Sequence, residues 1–139
     1  MTETVTLVGA GPGGAELLTR GGGAALRQAD AVVYDRLVDE SILDLIPKGA
    51  ERICVGKKMG HHPVPQDEIN ALLVHLARQG KRTVRLKGGD CYLFGRGGEE
   101  CEYLKAHGVP FRVLPGVTSA LAAPAFAGIP VTHRDFCSS

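Results

Sequence analysis

Short runs of β-branched or apolar residues recur along this chain, each closed by a glycine- or acid-bearing turn and followed by residues at helical spacing. That alternation is the mark of βαβ units, which pack as a parallel sheet covered by helices. The runs are Val5, Leu7 and Val8; Ala31 to Tyr34; residues 52–55; Thr83, Val84 and Leu86; and Phe111 to Leu114. They predict an α/β fold: a five-stranded, mainly parallel sheet with helices on both faces.

Helices are expected over residues 16–28 and 41–46, from about Pro65 to a stop at Gly80, from about 98 to 106, and after the turn at Pro115, ending near Gly128. The third is the clearest. Pro65 suits its first turn, Asp67 and Glu68 favour its positive end, and Ile69, Leu72, Leu73, Leu76 and Ala77 share one face. In the first helix Gly21, Gly22 and Gly23 stand mid-pattern, each costing about 1 kcal/mol relative to alanine. Nothing in the sequence accounts for that triplet.

Parallel sheets hold ligands beyond the carboxyl ends of their strands, so the turns there are where chemistry is sought. The richest is Leu86-Lys87-Gly88-Gly89-Asp90-Cys91-Tyr92-Leu93-Phe94-Gly95-Arg96-Gly97-Gly98-Glu99-Glu100. Gly88 and Gly89 permit close backbone approach to a bound molecule. Asp90 offers an acceptor for a hydroxyl or a cation. A glycine-rich strand-to-helix turn of no other consequence is the plainer alternative. The first strand ends in Gly9-Ala10-Gly11-Pro12-Gly13-Gly14, which fits G-x-G-x-x-G, and Asp35 closes the second strand roughly 20 residues on, as in dinucleotide-binding domains. Against that reading, Pro12 removes a backbone donor from the loop, and such a domain has no need of a second, longer glycine loop. A nucleoside without phosphates fits better.

Composition narrows the partners. A formal net charge of +1 on 139 residues argues against a nucleic-acid-binding domain. The apolar runs are too short for a membrane span or a signal peptide. Cys54, Cys91, Cys101 and Cys137 form no CxxC pair, and His61 and His62 gain no further ligand at zinc spacing, so neither disulfides nor a metal are expected and the cytoplasm is the expected compartment.

Taken in order, Gly9 to Gly13, Tyr34-Asp35-Arg36-Leu37-Val38, Val55-Gly56-Lys57-Lys58, Gln66 to Asn70, Arg85 to Asp90, Phe94-Gly95-Arg96-Gly97-Gly98-Glu99-Glu100, Pro115 to Ala120 and Thr132-His133-Arg134-Asp135 resemble the uroporphyrinogen-III C-methyltransferases of the tetrapyrrole methylase family. The match runs from about residue 5 to the end. The resemblance implies a two-domain enzyme that binds S-adenosyl-L-methionine between its halves, releases S-adenosyl-L-homocysteine, and methylates uroporphyrinogen III to precorrin-2 for sirohaem and cobalamin. It also implies a first strand lying between the fourth and fifth.

Carried over residue by residue, the cofactor contacts fall on Pro12, Gly88, Gly89, Asp90, Leu93, Thr118 and Ser119. Proton handling falls on Asp35 as acceptor and Lys57 as donor. A substrate with eight carboxylates needs a basic rim, for which Arg36, Lys57, Lys58, His61, His62, Arg85, Lys87, Arg96, His133 and Arg134 are candidates. Arg36, Arg96 and Arg134 are the preferred substrate contacts, because a guanidinium binds a carboxylate through two bonds. Another precorrin intermediate as substrate and a dinucleotide-binding module are the alternatives. The sequence departs from the family at Cys91, where proline is usual, at Gly14, where aspartate is common, and at the glycine triplet. Residues 1–139 are expected to be the amino-terminal subdomain alone, with residues 128–139 opening the connection to a second domain, and so to bind cofactor weakly and not to turn over. A homodimer is expected of the full-length protein.

Overall fold

The computed structural model describes residues 1–56 and 62–136. Lys57, Lys58, His61 and Cys137 therefore lie outside the described residues. Five strands, β1 (Val5–Gly9), β2 (Ala31–Tyr34), β3 (Glu51–Cys54), β4 (Thr83–Lys87) and β5 (Phe111–Leu114), form one sheet in the order β3-β2-β4-β1-β5. Every pairing is parallel, with β1 between β4 and β5. All five chain ends that carry the glycine and acid turns consequently lie on one edge.

Helices cover both faces. α3 (Gln66–Arg78) and α4 (Gly97–Ala106) lie on one, where Ile69, Leu73, Leu76, Cys101 and Leu104 pack against Val5, Leu7, Ala31 and Val33. α1 (Arg20–Arg27) and α2 (Glu40–Leu43) lie on the other, where Ala25, Leu26 and Ile42 meet Val8, Val32, Val84 and Leu86. Alternate residues of each inner strand feed opposite cores, so a strand buried on both faces reads as a continuous apolar run. β4 departs from that rule: Val84 and Leu86 face α1 and α2, but Thr83, Arg85 and Lys87 sit in register with Val5, Leu7 and Gly9 and point the other way, all buried.

The first helix is shorter than its periodicity suggests. A single 3-10 turn at Ala15–Leu17 follows the glycine loop, and α1 begins only after Thr19, whose Oγ1 accepts the Gly22 amide at 3.0 Å. The glycine triplet now has a physical account. A Cβ on Gly22 would lie 3.0 Å from Val8 Cγ1 and 2.9 Å from Leu18 Cδ1, so this glycine lets α1 lie close on β1. Gly21 and Gly23 meet only ordinary contacts, at 3.7 Å from Leu114 and 3.5 Å from Arg27.

The triplet therefore divides under substitution. Gly23→Ala is expected to stabilise the fold by about 0.5–1 kcal/mol through helix propensity. Gly22→Ala should lose that gain to crowding against Val8. Chemical denaturation of the two variants checks the difference, and equal gains would contradict the packing account.

Candidate active site

Three strand-end turns meet at one point. After β1, the Ala10 amide donates to the Lys87 carbonyl at 2.7 Å, and Gly11 and Gly89 exchange backbone bonds at 3.1 and 2.9 Å. After β5, the Gly116 amide donates to Asp90 Oδ1 at 2.9 Å. The approach is too tight for side chains. A Cβ on Gly9 would stand 2.6 Å from Gly116 N and 2.7 Å from Gly89 O, and one on Gly116 would collide with Gly89 O and the Gly9 backbone. By contrast, the positions above Gly88 and Gly89 are open, with Leu37 Cβ at 3.8 Å and Ser119 N at 4.0 Å as nearest neighbours. Glycine thus serves two ends here: backbone on backbone beneath, and clear approach above.

Asp90 holds this arrangement. Its Oδ2 accepts the Tyr92 and Leu93 amides at 3.0 and 3.2 Å, and its Oδ1 accepts Gly116 from the neighbouring turn. These bonds, that from Gly116 foremost, lower its pKa below the usual carboxylate range. The carboxylate expected to face a ligand is thus also the brace between two of the turns. Cys91, beside it, is fully buried, and burial raises its thiol pKa to about 12, so it is no nucleophile near neutrality.

The turn after β2 joins the same edge. Asp35 Oδ1 accepts the Leu37 amide at 3.0 Å, and the turn after β3 closes on it, since a Cβ on Gly56 would stand 2.7 Å from Arg36 N and 3.3 Å from Asp35 Cα. Asp35, Arg36, Leu37 and Gly56 line an open recess of about 430 Å³. Lys57 follows Gly56 in the chain, outside the described residues. Thr118 caps α5 (Ser119–Phe126), its Oγ1 accepting the Ala120 amide at 3.3 Å. Arg96 pairs with Glu99 at 2.9 Å on the surface. Arg134 is exposed on the segment after α5, where the neighbouring His133 ring packs 4.9 Å from Phe136.

Two members of the expected basic rim are not on it. Arg85 and Lys87 are 4% and 5% exposed, because they lie on the inward face of β4 and share the carboxylate of Glu100. The period of a strand buried on both faces gives no hint of which residues are outward, so the sequence could not distinguish them from surface cations. The glycine loop after β1 also lacks the feature that a pyrophosphate needs: it runs into a 3-10 turn, and α1 starts six residues beyond Gly14 behind its own threonine cap. Two recesses, of about 310 and 630 Å³, lie at the opposite edge beside Arg82, the second also lined by Asp30. The carboxyl edge is instead an open shelf bearing Leu37, Tyr92, Leu93, Phe94 and Val117 on its surface. Among the described residues no cluster of His, Cys, Asp or Glu could hold a metal ion, Cys54, Cys91 and Cys101 are free thiols, and no helix is long and apolar enough to cross a membrane.

Asp90→Asn keeps the shape of the brace but cannot accept all three amides. The wild-type carboxylate, with its lowered folded pKa, contributes stability that is complete above its unfolded pKa of about 4 and is lost as the pH falls through the folded value. Denaturation from pH 7 to pH 2 should show the variant less stable near neutrality and the gap closing in acid; a constant gap would contradict the brace. Gly116→Ala should cost on the order of 1–3 kcal/mol by the same measurement, since only backbone can yield.

Residues 4–139 match the sequence profile of the Tetrapyrrole (Corrin/Porphyrin) Methylases. The siroheme synthase 1 of Serratia proteamaculans (strain 568) is 60% identical over 135 residues, which are 97% of this chain and 28% of that protein. The crystal structure of uroporphyrin-III-C-methyltransferase from Thermus thermophilus superposes with a TM-score of 0.85 at 46% identity, over 96% of this chain and 56% of that one. A uroporphyrin-III C-methyltransferase from the same organism, in complex with S-adenosylhomocysteine, gives a TM-score of 0.82 at 50% identity, over 98% and 56%. The chain thus spans under a third of the Serratia protein and little more than half of the Thermus enzyme. With its parallel sheet, its strand order and its converging glycine turns, the chain belongs to the tetrapyrrole methylase family.

Proposed function

We propose that this chain supplies the amino-terminal half of an S-adenosyl-L-methionine site and serves the C-methylation of uroporphyrinogen III to precorrin-2. The observation that carries the reading is the junction of the Gly11, Gly89 and Gly116 turns, open above Gly88 and Gly89; Pro12, Leu93, Thr118 and Ser119 are the proposed remaining cofactor contacts. Its likeness to an enzyme solved with S-adenosylhomocysteine supports the choice of ligand. Open glycine backbone and unbranched approach suit a nucleoside, and the delayed start of α1 disfavours a dinucleotide.

When bound, the cofactor supplies an electrophilic methyl group on a sulfonium. An electron-rich pyrrole carbon needs little activation, so the protein's share is alignment and removal of the proton displaced afterwards. Asp35, at the same edge and braced by the Leu37 amide, is the proposed acceptor, with Lys57 as donor. Arg36, Arg96 and Arg134 are the proposed contacts for substrate carboxylates. Arg96 can exchange Glu99 for such a carboxylate at small cost, because exposed ion pairs contribute little. The apolar shelf of Leu37, Leu93 and Phe94 suits the face of a macrocycle. On this reading the whole protein works in the cytoplasm as a homodimer, as its family resemblance suggests.

In the full protein that carries this sequence, calorimetry should give saturable binding of S-adenosyl-L-homocysteine and none of NAD; the reverse preference would overturn the reading. Asp35→Asn should lower the rate of methyl transfer about 10²–10⁴-fold with S-adenosyl-L-homocysteine affinity unchanged. A variant of wild-type rate would remove Asp35 from the chemistry.

A further inference from the structure

We propose that Lys87 and Glu100, joined by Arg85 and Gln66, are positioning residues: a buried ionic network that holds the loop of residues 92–97 in the shape the site needs. Glu100 has no exposed surface. Its carboxylate accepts Lys87 Nζ at 2.7 Å, Arg85 Nε at 3.1 and 3.3 Å, and Gln66 Nε2 at 3.4 Å. The outer members are tied in turn, Arg85 Nη1 to the Val33 carbonyl at 3.4 Å and Gln66 Nε2 to Asn70 Oδ1 at 2.9 Å. One carboxylate thereby links β2, β4, α3 and α4.

Ions buried this deeply cost free energy that an apolar cluster of equal volume would not, so their presence calls for a reason other than filling space. Their position suggests one. Lys87 immediately precedes Gly88 and Gly89, and Glu100 stands in the first turn of α4. The network therefore clamps both ends of the intervening loop.

That loop is under conformational constraint. Phe94, Gly95 and Arg96 have φ of 63°, 75° and 63°, three successive left-handed residues of which two are not glycine. Such conformations persist only where the surroundings enforce them. Lys87 lies directly beneath, its Cε 3.3 Å from where a Gly95 Cβ would stand, while Gly97 is pressed against the Cys91 carbonyl too closely for any side chain. Releasing Lys87 from Glu100 removes the floor of the turn and one end of its clamp.

The positional part of this inference stands independently, whereas its effect on cofactor binding rests on the methylase reading above. The test uses the full protein with Lys87→Met, which keeps the alkyl stem and removes the charge, and Lys87→Arg, which restores it. Amide hydrogen exchange at Tyr92, Leu93 and Glu100 should accelerate about tenfold or more in Lys87→Met, with β1 and β2 unchanged. S-adenosyl-L-homocysteine affinity should fall about tenfold, and Lys87→Arg should recover both. Unchanged loop exchange in Lys87→Met, or loss of protection spread evenly over the sheet, would overturn the proposal. Faster loop exchange in a protein that binds no S-adenosyl-L-homocysteine even as wild type would sustain the positioning role and sink the methylase reading instead. Should Lys87→Met not fold, Glu100→Gln provides the same readouts. In the unaltered protein, Tyr92 and Leu93 amides that exchange as fast as a free peptide would by themselves refute the clamp.

Discussion

Two cations on the inward face of the central strand, Arg85 and Lys87, need an anionic partner within a largely apolar core. Glu100, one carboxylate shared by both, supplies it from α4, and the requirement sets where that helix must lie against β4. Removing one partner of such a pair typically costs about 3–5 kcal/mol, because a buried charge is left without compensation. Much of the face between the sheet and α3 and α4 is aliphatic and would tolerate small shifts. The ionic centre would not, and the loop joining its two ends inherits that rigidity.

The site follows from parallel topology with little added. Strand order β3-β2-β4-β1-β5 puts β1 between β4 and β5, so the turns leaving these three strands are neighbours. Their contact then depends on small residues, because Gly9 and Gly116 approach each other and the Gly89 carbonyl within distances that no Cβ allows. Asp90 secures the contact with three backbone amides, and its low pKa keeps that brace ionised across the physiological range. The turns after β2 and β3 meet separately at Gly56 and Asp35, which brings an acid to the same edge.

Strands and most helix positions were legible because hydrophobic period and glycine punctuation agree along nearly the whole chain. β5 was read at its observed bounds and α3 from its apolar face and acidic first turn. The glycine triplet was opaque, since its cause is the approach of α1 to Val8, a contact distant in sequence. The start of α1 was misjudged for a related reason: Thr19 competes as a cap within an apolar pattern that continues through it. Arg85 and Lys87 were mistaken for rim charges because a strand buried on both faces offers no polar alternation to betray which side is inward. The Gly88-Gly89-Asp90 segment is legible as a glycine turn leaving β4, but the brace that Asp90 forms depends on Gly116, 26 residues away.

The account as a whole turns on whether the three glycine turns form one ligand-binding junction. Backbone NMR of the full protein, titrated with S-adenosyl-L-homocysteine, tests this most directly. The account predicts that the amides of Gly11, Gly88, Gly89, Gly116 and Ser119 shift together along one saturation curve. Shifts confined to the opposite edge, around Asp30, Arg82 and Arg112, would contradict it.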